Sequence, residues 1–201
     1  MYAGKEFYWG REPNDFARKA LEFLPDARVE GQLRAIDLGA GEGRDAVLFA
    51  SRGVETLALD IAPNALEKAR RLAREKGVRL ETNRGDVNEV RFSRPFDLVY
   101  SIGAIQYIEP QKRAARFEHF KEGTNPGGIH ALFAFVDDPR LPPAPDWGPG
   151  EHIYHPGELP GYYAGWGLLH FQSLVFDDDS AGIPHKHAAE EYVFEKPVQL
   201  G

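Results

Sequence analysis

The 201-residue chain contains no cysteine, which removes disulfides, thiolate zinc sites and a cysteine nucleophile together. It also lacks a long apolar run. The opening MYAGKEFYWGREPNDF has no apolar core and no spanning segment follows, so no membrane partner and a cytoplasmic location are expected. There is no repeat at a fixed period and no low-complexity tract. Positive charge is scarce: 24 Lys and Arg against 31 Asp and Glu leave a formal charge of -7. That balance argues against a surface built to release counterions from nucleic acid, and leaves a small molecule or a protein as partner. With 42% hydrophobic residues the chain can build a sizeable core, and one domain over residues 1–201 is expected.

Strand-like and helix-like stretches alternate, the pattern of a parallel α/β sheet. Asn14 or Asp15 can cap a helix ended by Pro25, in which Phe16, Ala20, Phe23 and Leu24 share a face. Residues 1–30 are read as this helix with a lid before it. Strands are expected over Leu33–Leu38, Glu55–Ile61, Arg79–Asn83 and Phe96–Ile105, with helices over Arg44–Arg52 and from Pro63 to Gly77. A fifth strand, GIHALFAFV, follows the turn Asn125–Gly128. Seven of the 15 prolines fall between Pro139 and Pro160, too dense for a helix or a central strand, so residues 137–162 read as a long ordered loop. LLHFQSLVFDDDS and HKHAAEEYVFEKP then make an antiparallel hairpin over residues 168–197.

AIDLGAGEGRD, Ala35–Asp45, runs from a strand through Gly39, Gly41 and Gly43 into a helix. The third glycine of the dinucleotide fingerprint would fall at Arg44, and no Gly-Lys-Ser/Thr or loop lysine is present to meet a triphosphate. Asp37 at the mouth of the loop would repel a pyrophosphate but suits a cationic ligand. Asp60 closes strand two, where a carboxylate can accept both hydroxyls of a ribose, and Asp86 follows strand three, within reach of an adenine amino group. Asp60 could instead cap the helix opening at Pro63, and Asp86 could be a turn residue.

This set, completed by the Pro-Gly-Gly turn at 126–128, resembles class I S-adenosylmethionine-dependent methyltransferases. The resemblance implies a doubly wound, seven-stranded, mainly parallel sheet of order 3-2-1-4-5-7-6 with an antiparallel last strand. It implies S-adenosylmethionine as cofactor, S-adenosylhomocysteine as product, and a site built from Asp37, Gly39, Ala40, Gly41 and Gly43, then Asp60 and Ile61, Asp86 and Val87, and Ser101 and Ile102.

The acceptor is harder to read, because methyl transfer draws mainly on proximity and desolvation. SIGAIQYI after strand four lacks the Asn/Asp-Pro-Pro-aromatic motif of base-methylating enzymes, and Glu109 alone cannot make a double-glutamate hairpin for arginine, so a small acceptor remains. HPGELPGYYAGW, His155–Trp166, is similar to a segment of the tellurite-resistance methyltransferases, which implies an oxyanion acceptor of tellurium or selenium. On that reading His185, His187 and Tyr163 are the candidate catalytic residues, and Tyr8, Trp9, Arg11, Tyr107 and Trp166 line the substrate or lid. His119, His130 and His170 look structural. His152-x-x-His155 and His185-x-His187 have ligand-like spacings, but no third partner is fixed and no metal is assigned. A small-molecule O- or N-methyltransferase, and a non-catalytic sensor using the Pro-rich loop as a docking surface, are the alternatives.

Overall fold

The computed structural model describes residues 4, 6–25, 31–179 and 182–198. They form one seven-stranded sheet in the order β3-β2-β1-β4-β5-β7-β6, as the family resemblance implies. The strands are β1 (Arg34–Leu38), β2 (Glu55–Asp60), β3 (Glu81–Arg84), β4 (Phe96–Ile102), β5 (Thr124–Val136), β6 (Gly167–Asp178) and β7 (His185–Glu195). The first five run parallel, and β7 is antiparallel to both β5 and β6. Parallel order places every βα loop of β1 to β4 at one edge of the sheet, where ligands of doubly wound folds collect.

Among the described residues four α-helices cover the faces: α1 (Asp15–Glu22), α2 (Arg44–Ser51), α3 (Pro63–Glu75) and α4 (Arg113–Glu122). The Asn14 side chain caps α1 by accepting from the Phe16 amide at 2.8 Å. One core cluster joins α1 and α2 to the sheet through Phe16, Phe49 and Tyr100, and the opposite cluster joins α4 through Phe117 and Phe120. Among the described residues no helix is long and apolar enough to cross a membrane.

Four expectations need correction. Strand four ends at Ile102 rather than Ile105, because Gly103 at φ +67° turns the chain into a 3-10 helix over Ile105–Tyr107. Strand three starts two residues later than read from the sequence, at Glu81. The Asn125–Gly128 turn lies inside β5 rather than before it: pairing with β4 jumps from Phe96↔Thr124 to Leu98↔Ile129, a bulge that throws the turn outward. Asn125 anchors it by donating Nδ2–H to Asp97 Oδ1 at 2.8 Å. The fourth correction is α4, which the sequence reading did not anticipate. Its inner face carries arginines: Arg113 reaches Glu158 Oε1 at 2.7 Å and lies 3.7 Å from the centre of the Tyr154 ring, while Arg116 donates to the carbonyls of Val87 and Val90.

The Pro-rich stretch is a loop held at defined points. Tyr154 is fully buried, bridges to Val136, and donates its hydroxyl to the Ile105 carbonyl at 3.0 Å. The loop is thereby fixed beside the carboxyl ends of β4 and β5.

Candidate active site

A cavity of about 990 Å³ opens at that edge of the sheet. Its two halves are built differently.

The first half is made by backbone turns. Gly39 has φ +76°, and a Cβ there would sit 2.2 Å from Ala104 Cβ, so only glycine lets the loop pass. The Gly39 and Ala40 amides both donate to the Leu59 carbonyl, at 2.8 and 2.9 Å, tying the loop to β2. Asp60 Oδ2 accepts from the Gly41 amide and Oδ1 from the Ala62 amide, each at 2.8 Å. Asp60 thus organises both the glycine loop and the entry to α3, and a carboxylate has roughly four acceptor positions, leaving room for ligand hydroxyls. Asp86 Oδ1 accepts from the amide and the side chain of Asn88, an Asx turn that still faces the cavity.

Three carboxylates cluster under this loop. Burial, then the neighbouring Asp45 and Asp60, push the Asp37 carboxyl well above its ordinary value, and burial raises that of Asp45. A cation bound there relieves both effects. Asp45 accepts from the Asn14 amide at 2.7 Å and the Tyr100 hydroxyl at 3.0 Å.

The N-terminal segment closes over the loop through a group the sequence reading missed. Glu42, between two loop glycines, accepts from the Trp9 amide at 3.1 Å and pairs with Lys68 Nζ at 2.6 Å, with side chains 2% and 8% exposed. Lys68 also reaches the Glu6 carbonyl. Tyr8 and Trp9 line the cavity as a result. The available signal was a charged residue in the middle of a glycine loop.

The second half is made by side chains from distant segments. Phe133 and Phe135 come from β5, Phe176 from β6, His187 and Glu191 from β7, and Asp146, Trp147 and Glu151 from the Pro-rich loop. The rings pack edge to face, Phe135 on Trp147 at 5.1 Å. Tyr107 donates to Glu151 Oε1 at 3.0 Å. Gln106 Oε1, buried in the same wall, has no hydrogen-bond partner among the described residues.

The family model described as "Methyltransferase domain" matches residues 35–128. Over 172 residues the chain is 22% identical to the "Probable S-adenosyl-L-methionine-dependent methyltransferase TehB" of Haemophilus influenzae, covering 85% of this chain and 58% of that protein. The crystal structure of TehB from H. influenzae superposes with a TM-score of 0.77 at 19% identity, covering 91% of this chain and 62% of that one. A "Ubiquinone biosynthesis O-methyltransferase" of Rickettsia canadensis is 27% identical over 78 residues, 39% of this chain and 33% of that protein. Residues 35–128 thus match a methyltransferase domain, and the fold is shared with solved S-adenosylmethionine-dependent methyltransferases. The chain spans roughly half to three-fifths of the length of the TehB proteins and the Eikenella corrodens "Hemagglutinin 1" that it also matches.

In this methyltransferase domain Asp37, Gly39, Ala40, Gly41, Asp60, Ile61, Asp86, Val87 and Ile102 all face the cavity, with Tyr8, Trp9, Tyr107 and His187. Other residues expected at the site lie elsewhere. Gly43 packs α2 on α3, since a Cβ there would be 2.5 Å from Ala69 Cβ. Ser101 is buried and donates to the Leu38 carbonyl at 3.0 Å. Arg11 pairs with Glu75 at the surface.

Tyr163, expected to be catalytic, is 3% exposed, stacks on Phe194 at 4.1 Å and contacts His130 Nδ1 at 2.7 Å. Trp166 packs on the same His130 ring, 4.7 Å away. These aromatics secure the turn before β6 to β5 and β7, and none reaches the cavity. His130 is structural as expected, its Nε2 against Thr124 Oγ1 at 2.7 Å. His185 stands just behind His187, their Nε2 atoms 2.9 Å apart.

Proposed function

We propose that the domain transfers a methyl group from S-adenosylmethionine to an oxygen or nitrogen of a small organic acceptor with a flat apolar body. The observation that carries this reading is the acceptor wall. Aromatic rings alternate there with groups that only accept hydrogen bonds, Asp146, Glu151, Glu191 and Gln106 Oε1, while Arg44 is the single lysine or arginine lining the cavity among the described residues. Arg44 is occupied on the cofactor side, donating to the Trp9 carbonyl at 2.8 Å. Such a wall favours a ligand that brings hydroxyl or amino protons and an aromatic or aliphatic surface.

Turnover follows from placement. The in-line approach of acceptor to sulfonium carbon needs the two ligands held together and dry, and the Trp9 segment and the Pro-rich loop supply cover from opposite sides. Tyr107, Trp9 and the loop carrying Trp147 act as the lid in this reading. A tellurite or selenite acceptor is the second reading, supported by the 22% identity to TehB. It is opposed by the carboxylates, which repel an oxyanion.

The test is release of S-adenosylhomocysteine with a panel of phenols, catechols and aromatic amines beside selenite and tellurite. Turnover confined to organic acceptors is expected. Turnover with the oxyanions alone would reverse the assignment, and cofactor binding without turnover across a broad panel would favour a sensor.

A further inference from the structure

At the lip of the cavity two imidazoles and two carboxylates converge from three parts of the chain: His185 and His187 on β7, Asp178 at the end of β6 and Asp146 in the Pro-rich loop. One ligand atom from each lies within 4.8 Å of all the others. His187 Nε2 is 3.2 Å from Asp146 Oδ2 and 3.8 Å from Asp178 Oδ2, and His185 Nε2 is 3.1 Å from Asp146 Oδ1. Strand pairing fixes the arrangement: Asp178 lies opposite His185 in the β6–β7 register, and i, i+2 spacing turns both histidines to one face.

Proton placement is the informative detail. His185 Nδ1 is 2.7 Å from the Ile183 carbonyl. A carbonyl can only accept, so Nδ1 carries a proton and Nε2 is the ring nitrogen left to face the carboxylate, presenting a lone pair whenever the ring is neutral. Nε2 faces Asp146 Oδ1, a buried oxygen with no hydrogen-bond donor among the described residues. With the ring neutral, two electron-rich atoms face each other beside a second imidazole nitrogen, and a shared cation, either a proton or a metal ion, joins them. An imidazole oriented through its far nitrogen by a backbone carbonyl is also the usual outer support of a metal-bound histidine.

We propose that Asp146, His185 and His187, with Asp178 as a fourth and more distant group, bind a divalent first-row transition ion of the Zn²⁺ type at the mouth of the acceptor cavity. Metal–ligand bonds of about 2.0–2.1 Å in a tetrahedral site separate ligand atoms by about 3.3 Å, and the three closest pairs are already at 2.9, 3.1 and 3.2 Å. Two nitrogen donors select such an ion over Mg²⁺ or Ca²⁺. An acceptor hydroxyl entering the cavity would take the ion's open position. That last role rests on the acceptor class proposed above, whereas ion binding does not.

The experiment is a titration of chelator-treated protein with Zn²⁺ against a chromophoric competitor, without acceptor, repeated with Co²⁺ for its visible absorption and with Mg²⁺ as control. One equivalent of Zn²⁺ is expected, with a Co²⁺ band that Zn²⁺ removes and no competition from Mg²⁺. Asp146→Asn and His187→Ala should each weaken Zn²⁺ at least tenfold, and His155→Ala should not. Asp146→Asn keeps the shape of the loop, so it decides the matter if His187→Ala fails to fold, with S-adenosylhomocysteine affinity reporting folding. Absence of stoichiometric Zn²⁺ binding, or Zn²⁺ binding unchanged in Asp146→Asn, would overturn the site and leave a proton as the shared cation. Because no acceptor is present, failure of the metal site and failure of the acceptor assignment read out separately.

Discussion

The two halves of the cavity are built by different means. The half proposed for the cofactor is shaped by backbone turns and a strand-end carboxylate: Gly39 passes Ala104 where no Cβ fits, and Asp60 holds Gly41 and Ala62 by their amides. In the half proposed for the acceptor Phe133, Phe176, His187 and Trp147 meet only because β5, β6, β7 and the Pro-rich loop come together. A backbone-built half tolerates few substitutions and keeps one ligand. A side-chain-built half can change its ligand without disturbing the sheet.

The contrast can be strained hardest at the buried pair under the glycine loop. Lys68→Met leaves Glu42 charged and without its ion partner, and should destabilise the fold by about 3–5 kcal/mol, measured by urea unfolding. The N-terminal segment should become protease-sensitive in parallel, because Glu42 also holds the Trp9 amide.

Gly39→Ala should come next. A positive φ of +76° and the approach to Ala104 predict a loss of about 1–3 kcal/mol in stability, together with weakened S-adenosylhomocysteine binding, seen by thermal unfolding with and without ligand. On the other side of the cavity Trp147→Ala should leave S-adenosylhomocysteine affinity within about twofold and raise the acceptor KM, a calorimetric and kinetic pair of measurements.

A smaller effect separates the structural histidine from the site. Burial lowers the His130 pKa to about 3, against an unfolded value of about 6.5. The unfolded chain therefore binds the extra proton between these limits. His130 stabilisation is complete above about pH 6.5 and is lost as pH falls toward 3, about 1.5 kcal/mol of it between pH 6.5 and 5. Urea unfolding at those two values should show this slope, and His130→Gln should flatten it without changing S-adenosylhomocysteine affinity.

The same contrast explains what could be read from the sequence. β1, β2, α2, α3 and the glycine loop announce themselves through local rules: an apolar run, glycines at alternate positions, Pro63 at a helix start and Asp60 at a strand end. α4 broke the amphipathic pattern because Arg113 and Arg116 point inward, where Glu158, Tyr154 and two backbone carbonyls receive them. Tyr163 and Trp166 were misassigned for a related reason. An aromatic cluster in a loop reads equally as a binding wall or as packing, and only the neighbouring Phe194 and His130 decide for packing. Asp146 carried no signal at all, since its partners on β7 are 39 and 41 residues away.

The backbone-built half is expected to bind S-adenosylmethionine independently of the side-chain-built half. Calorimetric titration of S-adenosylhomocysteine and NADH into the wild type, Asp60→Ala and Asp146→Asn tests it directly. Micromolar S-adenosylhomocysteine binding and none of NADH is expected for the wild type, with a loss of roughly 10- to 100-fold in Asp60→Ala from about 1.5–3 kcal/mol of charge-assisted hydrogen bonding, and unchanged affinity in Asp146→Asn. Binding of NADH in place of S-adenosylhomocysteine, or equal losses in both variants, would contradict it.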